Sequence, residues 1–183
     1  MLRIVVPACE FYDESREEFI EVKEQTLLME HSLISISKWE AKWQKPYLSN
    51  DKKTAEQIYD YFRCMTVNPN QVDPRVYQML TKENMDDIAA YIENPMTATT
   101  ITQNQKVPGS RQPVMTSELI YYYMIAQNIP VEFEKWHINR LLTLIRVCAI
   151  KNDPNPKKMS RASIAKQNKA LNAARRKRLG TRG

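Results

Sequence analysis

The stretch TSELIYYYMIAQNIPVEFEKWHINRLLTLIRVCAIKND, residues 116 to 153, constrains the fold more than any other part of the chain. It holds two long apolar segments divided by Pro130. Thr116 or Ser117 is placed to cap the first helix, ELIYYYMIAQN, and the second helix is expected over FEKWHINRLLTLIRVCAIKN. In that second helix Phe133, Trp136, Leu141, Leu144, Ile145 and Cys148 fall near one face, and Ile138, Leu142 and Ala149 widen it. A helix apolar over so much of its circumference is expected at the centre of a core. Two helices joined by a short turn pack as a hairpin. The rest of the chain has to supply the surfaces that cover them.

The first thirty residues supply strands. LRIVV and FIEV are rich in β-branched residues, with a polar turn between them in FYDESREEF, and TLLMEHSL either adds a third strand or leads into the next element. A small antiparallel unit of this size is not stable alone and must pack on helices. Trp39 and Trp43, four residues apart, lie on one face of a helix expected from about Ser35 to Gln44, which stops before Pro46. Thr54 to Gln57 is a capping-box pattern opening AEQIYDYFRCM, with Ile58, Tyr61, Phe62 and Met65 as its apolar stripe. Asp73 before Pro74 opens a helix over RVYQML, and Asn84 is placed to cap MDDIAAYIEN, which Pro95 ends. Residues 96 to 115 read as an exposed loop or hairpin with candidate strands at TATTITQ and RQPVM. Pro154 and Pro156 mark a boundary. The expected fold is therefore α+β: a globular domain over 1–153, β-rich over 1–32 and helical over 33–153, followed by a tail, 154–183, that is partly helical or disordered.

Charge separates the two parts sharply. The tail from residue 157 onward has ten Lys or Arg and no Asp or Glu. Removing it from the totals of 27 basic and 21 acidic residues leaves 17 and 21 over residues 1–156, a net charge of −4. The basic character thus belongs to an appendage, which suggests an interaction segment rather than a property of the fold. Ser160 can cap a helix over RASIAKQNKALNAARRKRL, but Ile164, Leu171 and Ala174 give it only a thin apolar seam. Three readings stay open on charge alone: phosphate neutralisation on nucleic acid, attachment to an acidic protein surface, or a solvated tail.

Signals for catalysis are weak. The three cysteines, Cys9, Cys64 and Cys148, have neither disulfide-scaffold nor metal-knuckle spacing, so a reducing compartment is expected. The three glycines all lie after residue 108, which excludes the early glycine-rich loops that cradle phosphates. His31 and His137 lack a neighbouring ligand motif and read as buried histidines satisfied by neighbours. The carboxylates at Asp13-Glu14, Glu17-Glu18 and Asp86-Asp87 read as solvated surface. No enzyme activity, cofactor or metal is expected. No window is apolar enough to cross a bilayer, so no membrane role is expected either. The strongest candidates for partner contact are Trp39 and Trp43 with the interleaved Lys38 and Lys42, and the basic cluster Arg175, Arg176, Lys177 and Arg178.

The strings HSLISISKWEAKWQKPYLS, KTAEQIYDYFRCMT, NPMTATTI, SELIYYYMIAQNIPVEFEKWHINRLLTLIRVCAIKN and LNAARRKRLGTRG span nearly the whole chain. Together they resemble the tail assembly chaperones of bacteriophages with long, non-contractile tails. These are structural phrases rather than catalytic signatures. The resemblance implies a non-enzymatic helper in the host bacterial cytoplasm, with an oligomeric form compatible with that role. Such a helper binds the long helical tape measure protein, keeps it soluble, and recruits major tail protein subunits around it. It shifts the expected target of the basic tail from nucleic acid to other tail or virion proteins. The alternative is a structural virion protein, a head–tail connector or capsid-associated subunit, whose tail grips an acidic neighbour or DNA.

Overall fold

The computed structural model describes residues 1–13, 17–101 and 114–153, together with positions 165, 168–173, 175, 176 and 180 of the C-terminal segment. The fold is α+β, as expected. Four strands come first: β1 (Leu2–Val6), β2 (Cys9–Asp13), β3 (Glu18–Val22) and β4 (Gln25–Met29). β1 pairs antiparallel with β4 and β2 with β3. Both ladders keep one register, since continuing it from Val6↔Gln25 leads to Cys9↔Val22. The unit is one long hairpin, interrupted where Pro7 and Ala8 face Lys23 and Glu24. Pro7 has no N–H to give to a ladder, which accounts for a break at that point. The base of this hairpin buries Ile4, Val6, Leu27 and Met29.

The outer edge of β4 is not left open. After the second helix the chain turns to run alongside it: Glu30 N–H donates to the Met65 carbonyl at 2.8 Å and Val67 N–H to the Leu28 carbonyl at 2.8 Å. Asn68 completes the match, accepting from Leu28 N–H at 3.0 Å and donating to the Thr26 carbonyl at 3.1 Å. A covered edge removes a template for unwanted strand pairing.

Among the described residues up to 153, five α-helices follow: α1 (Leu33–Trp43), α2 (Ala55–Met65), α3 (Lys82–Glu93), α4 (Ser117–Ala126) and α5 (Ile138–Lys151). Helix α1 begins two residues earlier than its apolar pattern suggests, because Ser32 and Ser35 form a reciprocal capping box. It ends at Gln44, which adopts a left-handed conformation at φ 52°. The Thr54–Gln57 box opens α2 as expected. Its buried face, however, is Gln57, Asp60, Tyr61, Phe62 and Met65, while Ile58 is at the surface. Asn84 is not the cap of α3. Thr81 caps it, and Asn84 is the third helical residue that closes the box by bonding back. The segment at Asp73-Pro74 forms a 3-10 turn, Pro74–Gln78, capped by the Asp73 carboxylate. Residues 97–101 and 114–115 are not strand, so the expected strands find no support there, and the rest of both segments lies outside the described residues.

The largest departure concerns the final helix. Instead of starting at Phe133, the chain makes a 3-10 turn over Val131–Lys135, passes through an extended Trp136, and enters α5 at Ile138 with His137 as its cap. An outside hydrogen bond fixes that boundary: Ile138 N–H donates to the His31 carbonyl at 2.7 Å, beside a bridge between Ser32 and His137. Phe133 and Trp136 therefore stack on one another, ring centroids 4.1 Å apart, outside α5. Only Ile138, Leu141 and Ile145 of α5 are buried, while Leu142, Leu144 and Cys148 are half-buried and Ala149 is exposed. The central helix is α1. It packs against both α2 and α4, and it buries Leu33, Ile36 and Trp39 within the main core.

One buried carboxylate holds these layers together. Glu40 of α1 accepts from Tyr47 N–H and from Ser117 N–H, each at 2.7 Å. Ser117 opens α4, so the charge sits where the helix dipole and free N–H groups favour an anion.

Candidate partner-binding site

The residues singled out from the sequence do not form one surface. Trp39 is 1% exposed, and its indole N–H donates to the Gln57 carbonyl at 2.9 Å. Its ring packs against Trp43 and, edge-on, against Tyr47. This is a correction: Trp39 is a core residue, with its polar handle satisfied internally, and has no face to offer a partner. Trp43 is half-buried and donates to Asp60 Oδ2 at 2.8 Å. Lys42 reaches Asp60 Oδ1 and lies over the Trp43 ring, 5.5 Å from its centroid. Trp43, Lys42 and Asp60 thus form a clasp between α1 and α2. The sequence reading missed Asp60, whose only signal was a charged residue on the inner face of α2.

Lys38 has a different position. It is exposed and lines a groove of about 530 Å³ between the flank of α1 and the chain after α2. Ile34, Cys64, Met65 and Val67 provide the apolar lining, and Val67 is 57% exposed. Lys135, from the turn before α5, stands at the rim with Lys38. At one end Glu30 accepts from the Tyr91 hydroxyl at 2.6 Å and pairs with the Met1 amino group at 2.9 Å. The groove exists because two local rules meet: the Ser32 cap directs α1 away from β4, and the Thr66–Asn68 segment turns back along β4. Burial first, and the Asp60 charge second, push the Cys64 thiol up to about 11, with Lys38 and Lys42 offsetting part of this. Cys64 is accordingly a wall of the groove and a poor nucleophile.

The histidines lie deeper. Their rings meet edge-on with centroids 5.0 Å apart. His137 Nδ1 accepts from Asn139 N–H at 3.3 Å, which leaves the proton on Nε2, where it is donated to the Tyr91 carbonyl at 3.0 Å. His31 Nδ1 shares a hydrogen bond with the Tyr61 hydroxyl. Burial, and secondarily His137, lower the His31 pKa to about 3, and burial lowers His137 as well. Two neutral imidazoles in contact are a packing solution that joins α5 to the start of α1. Among the described residues no group of three or more His, Cys, Asp or Glu is placed to hold a metal ion. No helix among them is long and apolar enough to cross a membrane.

Of the basic cluster, Arg175 and Arg176 are exposed and helical, next to the helical stretch 168–173, while Lys177 and Arg178 lie outside the described residues. Ser160, Ile164 and Ala174, expected to cap and line that helix, also lie outside them, and Leu171 is half-buried. Comparison with protein-family models, curated proteins and solved structures finds no match.

Proposed function

We propose that this chain is a non-enzymatic tail assembly chaperone of a long-tailed bacteriophage, and that the groove beside α1 holds an amphipathic helix of the tape measure protein. The observation that carries this reading is the groove itself: an apolar lining from half-buried Ile34 and exposed Val67 with Lys38 and Lys135 at its edge. Such a surface fits a helix with an apolar stripe flanked by acidic residues. The resemblance of the sequence to tail assembly chaperones supports the same conclusion. Binding would cover apolar faces of the client until tail-tube subunits replace the chaperone.

Co-expression with the neighbouring tape measure protein tests the reading. The expected result is more soluble tape measure protein and its co-purification with this chain, both reduced by Val67→Glu and by Lys38→Glu. No gain in solubility and no co-purification would refute it. Presence in purified particles at fixed copy number would instead make the chain a structural virion subunit.

A further inference from the structure

Helix α4 is apolar on both sides. Ser117, Ile120 and Met124 are buried, and the residues it exposes are Glu118, Tyr122, Ile125 and Ala126. Positions 118, 122 and 125 recur at i, i+4 and i+7, so they form one stripe along the helix. Tyr122 is 62% exposed and Ile125 is 76% exposed. The Tyr122 ring is held by an edge contact with Tyr123, centroids 5.5 Å apart. Glu118 is the only charged residue of α4. Helix α3 carries the solvated face usual for a surface helix, exposing Lys82, Glu83, Asp86, Asp87 and Glu93. A helix that sets a tyrosine and an isoleucine where α3 sets charges has the composition of a contact face.

Charge at the two ends of the stripe says what covers it. Glu118 stands at the N-terminal end. At the C-terminal end Gln127 accepts from the Asn152 side-chain amide at 2.8 Å, which brings the last turn of α5 alongside. That turn ends in exposed Lys151, and the charged residues of α5, Arg140, Arg146 and Lys151, are all basic. The stripe is therefore acidic at one end and bordered by a base at the other. A second copy of α4 laid antiparallel across it brings Glu118 of each copy toward Lys151 of the other. A parallel copy would bring like charges together. With the two-fold axis between Tyr122 and Ile125, each tyrosine meets the isoleucine of the other copy. The contact is isologous, so every interaction occurs twice. The opposed helix dipoles add to the match.

We propose that α4 is a homodimer face, on which a second copy packs its own α4 antiparallel over the Tyr122–Ile125 stripe. The helix has ten residues, so the face is about 15 Å long. A strip of that length and about 10 Å wide falls well short of the about 800 Å² that a stable interface buries per partner. The dimer is accordingly reversible, with a dissociation constant in the micromolar range or weaker. None of the residues lining the groove belongs to α4, so failure of this inference would leave the proposed client site untouched.

Sedimentation equilibrium of the full-length chain, from about 1 µM to about 500 µM, tests it. The unaltered protein should show a monomer–dimer equilibrium. Ile125→Glu puts a carboxylate into both halves of the apolar contact and should weaken the dimer about a hundredfold or more. Glu118→Lys and Lys151→Glu, each alone, set like charges together twice and should weaken it about three- to tenfold. An equimolar mixture of these two variants should regain the parent affinity as mixed dimers, because each charge then meets its opposite. Altered folding of either variant cannot produce that rescue. A chain that stays monomeric throughout, a dimer unaffected by Ile125→Glu, or a mixture no tighter than the single variants would overturn the proposal.

Discussion

Replacing Glu40 with Gln should destabilise the fold far more than a charge-neutralising change at the surface. The Glu40 carboxylate accepts two backbone N–H groups, from Tyr47 and Ser117, at 2.7 Å each, in a site 8% exposed. Glutamine keeps one acceptor and presents an NH2 group to the other N–H. The change removes one charge-assisted hydrogen bond, worth about 1.5–3 kcal/mol when buried. It also removes the charge that opposes the N-terminal dipole of α4, worth about 0.3–1 kcal/mol. The expected loss is about 2–4 kcal/mol, or about 5–15 °C in Tm for a chain of this size. Urea unfolding followed by circular dichroism measures it, with Glu93→Gln on the exposed end of α3 as the control, expected within about 0.5 kcal/mol of the parent. A Glu40→Gln variant that matched this control would show that the carboxylate does not bind α1 to α4.

Trp39→Ala should cost about 3–5 kcal/mol in the same assay, as expected for a core aromatic, and a loss under about 1 kcal/mol would return Trp39 to the surface. Stability should fall on acidification. His31 takes up a proton near its ordinary 6.5 when unfolded but only near 3 when folded, so its contribution is complete above pH 6.5 and is lost progressively as pH falls toward 3. At pH 5 the loss from this residue is about 2 kcal/mol, and His31→Asn, which keeps an acceptor for Tyr61, should flatten the slope. Alkylation at pH 8 followed by mass spectrometry should modify exposed Cys9 well before Cys64, whose thiol is pushed up to about 11, and equal rates would contradict the described burial of Cys64.

The parts of the fold legible in the sequence are those set by neighbouring residues. The Thr54–Gln57 box, the stop of α1 before Pro46 and the end of α3 before Pro95 depend on a few adjacent side chains, and each lies close to where the sequence places it. What could not be read depends on contacts far apart in sequence. The start of α5 is fixed by the His31 carbonyl, which no periodicity around residue 133 can reveal. The apolar pattern of α5 overstated its burial because α1, with Ser32 as its cap and Ser35 and Ser37 in its first turns, looked less apolar yet occupies the centre. The candidate site was legible only at Lys38. The tryptophans drew attention by their size and spacing, but Gln57 and Asp60 on α2 take up both indole N–H groups and turn them inward. The groove itself needs Ile34 and Val67 brought together by the return of the chain along β4, which is a tertiary event.

The central claim is that a tape measure helix lies in the groove beside α1. The most direct measurement places a photo-crosslinking amino acid at position 67, whose side chain faces the groove and is largely exposed, in cells that also make the tape measure protein. Position 146, exposed on α5, serves as the control. The account predicts a cross-link from position 67 to the tape measure protein that is absent from position 146 and lost with Lys38→Glu. Equal cross-linking from both positions, or none from position 67 while the two proteins still co-purify, would contradict it.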